Sequence, residues 1–149
     1  MKSRIRTFIL AAFAAATILA TAHSASAQVY SSNASGDHQL GEGGNLSVMV
    51  LGLPYAGTYT LGGQQMILNQ SSQATTVVCW ISTANGGGSA GVPYGPEPGA
   101  TAAVGALITL PLNGSYTAAG PTDLWVVCHN EGPGTAAVAT LGTITAAYE

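Results

Sequence analysis

The sequence predicts an all-β protein, an antiparallel β-sandwich or jelly roll of about eight strands with one disulfide. Three observations carry that expectation. Short runs rich in Val, Ile, Thr and Tyr alternate with clusters of Gly, Ser, Asn and Pro, the punctuation of strands and tight turns. Beyond residue 27 no stretch shows 3.6-residue periodicity between helix caps. The only two cysteines lie in two nearly mirrored runs, TTVVCWIS at residues 75–82 and DLWVVCHN at residues 123–130.

Taken in order, residues 1–27 read as a cleaved signal peptide. Lys2, Arg4 and Arg6 form its positive start, FILAAFAAATILA its apolar stretch, and Ala25-Ser26-Ala27 its small-residue cleavage site. The apolar stretch is too short for a comfortable membrane span. Residues 28–44 are polar and glycine-rich apart from Val29, Tyr30 and Leu40, and read as a flexible arm ending in an edge strand. Residues 45–149 read as one sandwich domain, with strands expected over 46–51, 57–61, 65–69, 75–82, 106–112, 115–118, 123–130 and 135–148. Between them, NGGGSAGVPYGPEPGATA at 85–102 is a long glycine- and proline-rich connection, of the kind that forms a surface or binding loop. Tyr94 and Glu97 are its candidate contact residues.

Charge excludes two partner classes. All three Lys and Arg residues lie within residues 1–27, whereas the six acidic residues lie beyond it. Nucleic acids and anionic membranes are bound through Lys and Arg, so neither is an expected partner. Export also implies an oxidising compartment, periplasmic, extracellular or at the cell surface, in which Cys79 and Cys128 should pair. Because strand side chains alternate between faces, Val77, Cys79 and Ile81 share one face of their strand, and Val78 and Trp80 the other. Leu124, Val126 and Cys128 likewise oppose Trp125, Val127 and His129. A disulfide inside the sandwich therefore turns Trp80 and Trp125 outward. Loops or the N-terminal arm could cover that face, or it could serve as an oligomer interface or as an aromatic platform for a glycan or protein partner.

Reactive constellations are weak. His38 and His129 are the only histidines beyond residue 27, with no HxH, HExxH or CxxC spacing for a metal. His129 beside Cys128 points to the opposite face. Gly87-Gly88-Ser89-Ala90-Gly91 has the letters of a nucleophile elbow but lacks the helix that must follow one. Nothing places two of the six acids across a cleft. The expectation is a protein without catalytic residues, metal or cofactor, the minor alternative being a small hydrolase or a metal site built on His38, His129 and Glu131. Four Asn-x-Ser sequons occur, at Asn33, Asn45, Asn69 and Asn113; in a eukaryotic secreted chain they are candidate glycan sites, whereas in a bacterial one, the reading favoured, they follow from a Ser- and Asn-rich composition.

The succession Leu53-Pro54, Ala56-Gly57-Thr58-Tyr59, VVCW, ITLPLNGSYT, LWVVC and GTITA resembles small exported bacterial proteins with jelly-roll heads of the tumour-necrosis-factor and complement kind. That resemblance implies a jelly roll that oligomerises through an aromatic face. The single disulfide and the penultimate Tyr148 are also similar to chaperone–usher pilins, which implies a fimbrial subunit as the second reading. The residues before Leu46 are too polar for a donated strand of that kind. The function expected is therefore a secreted or surface-associated structural or interaction module for adhesion or assembly.

Overall fold

The computed structural model describes residues 28–86, 97–132 and 137–149; residues 1–27, expected as a signal peptide, and Tyr94 lie outside them. The described residues form nine strands and no helix. One sheet holds β1 (Val29–Ala34), β9 (Ala137–Tyr148), β4 (Gly57–Asn69) and β7 (Leu107–Ala118) in that order, with β2 (His38–Leu40) also paired to β9. The other holds β3 (Asn45–Leu53), β8 (Thr122–Asn130), β5 (Thr75–Ser82) and β6 (Gly99–Ala102). All named strand pairs are antiparallel. The molecule is a β-sandwich stapled by Cys79–Cys128.

The core forms where the alternating apolar positions of the two sheets meet. Tyr59, Leu61, Ile67, Leu110, Leu112 and Ile144 come from the first sheet, and Leu51, Leu53, Val77, Ile81, Leu124 and Val126 from the second. The expected runs 57–61 and 65–69 are one strand, as are 106–112 and 115–118. The residues that seem to break them face each other within a single ladder, Gly62 opposite Asn113 and Leu61 opposite Gly114. Gly63 is needed there for another reason. A Cβ on it would collide with the Thr143 carbonyl oxygen, so only glycine lets β4 pass this close to β9.

The segment 28–44, expected as a flexible arm, carries β1 and β2. Its backbone pairs with β9 from Val29↔Ala147 to Ala34↔Gly142, and again from His38↔Ala139 to Leu40↔Ala137. Few side chains fix it, but those few are well placed. Leu40 is fully buried, and Tyr30 meets Tyr59 edge-on at 6.1 Å. Tyr59 meets Tyr148 in turn at 5.2 Å, favourable geometry for aromatic quadrupoles. Desolvation, followed by the neighbouring Tyr55, Tyr59 and Tyr148 rings, raises the Tyr30 phenol above its ordinary pKa. Gly57, at φ 146°, leaves the space that the Tyr148 ring fills.

Within the expected loop 85–102, the last four residues form β6 against Thr75–Val78. Pairing of small residues such as Gly99, Ala100 and Ala102 is a backbone event that an alternating apolar pattern does not announce.

Candidate functional site

Cys79 and Cys128 are direct cross-strand partners on β5 and β8, with Cα atoms 4.1 Å apart. The amide of Glu131 donates to the Thr76 carbonyl at 2.8 Å. Following that register, the hydrogen-bonded pairs of this ladder fall on even β5 positions. Cys79 and Cys128 therefore occupy a non-hydrogen-bonded pair, where facing side chains come closest. The Cys79 amide points the other way and donates to Pro98 O at 3.1 Å. Both cysteines are fully buried on the inner face. The bridge ties two neighbours of one sheet together and does not span the two layers.

The outer face of this sheet carries the tryptophans, as the period-two pattern implies, but the two rings differ. Trp80 is 6% exposed and sits opposite Val127, outside the core cluster between the sheets. The chain after β5 turns back over this face. Ser82 Oγ accepts from the Ala84 amide at 3.0 Å, and the Gly86 amide donates to Ser47 Oγ on β3 at 2.8 Å. The Gly86 backbone presses on Val127, whose Cγ1 would lie 2.7 Å from a Cβ added there. Trp80 Nε1 is buried and has no hydrogen-bond partner among the described residues. Trp125, by contrast, is half-buried and lies opposite Val50, which is 39% exposed. The open part of this face is thus an apolar pair, Val50 and Trp125, rather than a double-indole platform.

The same face carries the exposed Asp123, two residues from Trp125 along β8 and opposite Gly52 on β3. His129 Nδ1 lies 2.9 Å from Asn45 Oδ1, its cross-strand neighbour. His38 belongs to the other sheet, and the Glu131 amide is engaged at the end of β8. Among the described residues no three His, Cys, Asp or Glu side chains gather in a group that could hold a metal.

Nothing in the residue pattern signals one further feature, a shallow cavity of about 390 Å³ on the outer face of the first sheet. Asn33, Gln64, Met66, Leu141 and Thr143 line it. It exists because β9 bulges: the register steps from Gln65↔Gly142 to Ile67↔Ala139, leaving Thr140 and Leu141 opposite Met66 alone. Such a bulge re-aims side chains and interrupts the ladder. Gln65, fully buried beneath it, donates from Nε2 to Met66 O and Leu141 O. Its Oε1 has no partner among the described residues. The bulge is invisible until the partner strand is known.

No protein-family model matches the chain, and no curated protein matches it. By structure it is similar to the VP2 subviral particle of infectious bursal disease virus, with a TM-score of 0.59 and 13% identity. That match covers 95% of this chain and 37% of the viral one. The T=1 particles derived from the same virus give a TM-score of 0.55 at 15% identity, covering 94% and 36%. Eiger TNF from S. frugiperda gives 0.52 at 9% identity, covering 82% of this chain and 94% of that one. The chain therefore spans little more than a third of those capsid chains but nearly the whole TNF chain. Likeness at such identities concerns the fold: a jelly-roll β-sandwich of the capsid and TNF kind.

Proposed function

We propose that this protein is an exported, non-enzymatic structural or interaction module, of bacterial origin, serving adhesion or assembly. The observation that carries the reading is the outward pair Val50 and Trp125, an apolar contact surface on a sheet whose inner face is locked by a disulfide. Aromatic side chains at the centre of such a patch contribute disproportionately to contact energy. A disulfide suits the oxidising side of a membrane. The absence of Lys and Arg beyond residue 27 argues against nucleic acid and anionic lipid as partners. A neutral glycan or an apolar protein surface fits the Val50–Trp125 face, and Tyr94, outside the described residues, is kept as a further candidate contact. Similarity in fold to capsid and TNF chains supports a module that acts through its surfaces. No cofactor is invoked.

The fimbrial alternative is weaker, because the segment that a pilin would donate is paired with β9 of its own chain. Co-sedimentation with insoluble neutral polysaccharides and with intact producing cells tests the adhesion reading. The chain should bind one of these surfaces, and Trp125→Ala should weaken that binding at least about tenfold. Equal binding by wild type and Trp125→Ala, or none by either, would contradict it.

A further inference from the structure

We infer that the free edge of β7 is a docking strand for a second copy of this chain, independent of the Val50–Trp125 face. The geometry of one turn fixes which way β7 points its backbone. The Asn69 amide donates to the Ala106 carbonyl at 3.0 Å, and the register from there to Gly57↔Ala118 runs without a shift. Odd positions of β4 and even positions of β7 are therefore the hydrogen-bonded pairs. In agreement, the Gly62 carbonyl is turned towards β9, where Thr145 Oγ1 donates to it. The odd residues of β7 consequently direct their N–H and C=O groups away from β4. Among the described residues no strand lies beyond them.

Natural sheets guard such edges with Lys, with short strands, with bulges or with proline. This edge is long, running over Leu107–Ala118, and neither β7 nor any position after residue 27 offers a lysine. Its one guard is Pro111, which falls on an odd, outward-directed position, where the missing N–H interrupts the edge. The stretch after Pro111 is unguarded. Asn113, Ser115 and Thr117 are exposed, uncharged and outward-directed, while Leu112 and Ala118 hold the strand to the core.

The occupant is a second copy because this stretch is self-complementary. Antiparallel pairing about a twofold axis at Ser115 sets Asn113 of one copy against Thr117 of the other and Ser115 against Ser115. Each of these pairs matches N–H to C=O, and Pro111 stops the ladder beyond them. No charge stands on β7 to repel its copy, although the chain beyond residue 27 is acidic throughout. A closed twofold contact of this type gives a dimer rather than a fibre.

Sedimentation velocity and light scattering of the exported full chain test the assignment. The wild type should be a dimer at micromolar concentration. Ser115→Lys, which places two like charges face to face, and Ser115→Pro, which removes an outward donor, should each weaken dimerisation at least about tenfold. Mixing Ser115→Lys with Ser115→Glu should restore a dimer, an outcome that misfolded variants cannot produce. Trp125→Ala should leave the dimer intact. A chain monomeric at all concentrations, or a dimer indifferent to Ser115→Lys, would overturn the assignment. A dimer lost in Trp125→Ala but kept in Ser115→Lys would overturn it as well, while leaving the tryptophan face as an interface. A monomer whose binding to a surface still depends on Trp125 would sink the edge contact alone.

Discussion

Replacing Cys79 and Cys128 together by alanine lowers stability by about 4 kcal/mol, the chain-entropy value for a loop of this length. The bridge closes a separation of 49 residues, and that loop contains β6, β7 and the connection between 85 and 98. Without it the unfolded chain regains that freedom, and two fully buried sulfurs leave small voids among Val77, Ile81, Leu124 and Val126. For a domain of this size the thermal midpoint should fall by about 15 °C, read by circular dichroism on the double variant. Because both sulfurs are buried, a reductant added to the native protein should act slowly, at a rate set by unfolding. A midpoint within a few degrees of wild type would show that the β5–β8 pairing is secure without its covalent tie.

Asn69→Ala should cost about 2 kcal/mol, the loss expected when one buried carbonyl and one part-buried amide lose their side-chain partner together. Asn69 is fully buried at the end of β4. Its Nδ2 donates to Gln73 O at 2.8 Å and to Ala102 O at 2.9 Å. Its Oδ1 accepts from the Ser71 amide at 2.9 Å and from Ser71 Oγ at 2.6 Å. The full capacity of the amide is used, and it locks the β4–β5 turn to the end of β6. Alanine takes the amide donor from the buried Ala102 carbonyl and the acceptor from the part-buried Ser71 amide, while Gln73 O keeps the Ser71 hydroxyl. Ser71→Ala, which removes only one of these bonds, should cost about 1 kcal/mol. Equilibrium urea unfolding of both variants checks the pair, and equal losses would refute a special role for Asn69. The same burial excludes this sequon from glycosylation in the folded chain, whereas Asn33 and Asn113 are exposed.

What could be read from residues alone was whatever depends on one strand at a time. The face assignment along Thr75–Ser82 and along 123–130 follows from alternation, and the structure keeps Val77, Cys79, Ile81, Leu124, Val126 and Cys128 on the inner side. What depends on two strands was not legible. Gly62-Gly63 and Asn113-Gly114 carry turn chemistry, yet they lie opposite one another inside a continuous ladder. Val29–Ala34 is held by its backbone and by one tyrosine contact, so composition made it look loose. The β9 bulge and its cavity are a mismatch between partners that neither strand displays. Trp80 was expected outward, and it is; that residues 82–86 would fold back over its row depended on the hydrogen bond from Gly86 to Ser47.

The proposed division of labour across sheet β3-β8-β5-β6, a stapled interior and a contact face at Trp125, is open to one direct measurement. Trp80→Phe leaves Trp125 as the only indole, so its emission reports on that face alone. On addition of the polysaccharide or cells that sediment the protein, its emission should shift to the blue and become shielded from acrylamide. Unchanged emission and quenching from a folded Trp80→Phe chain that still binds would contradict a contact role for this face.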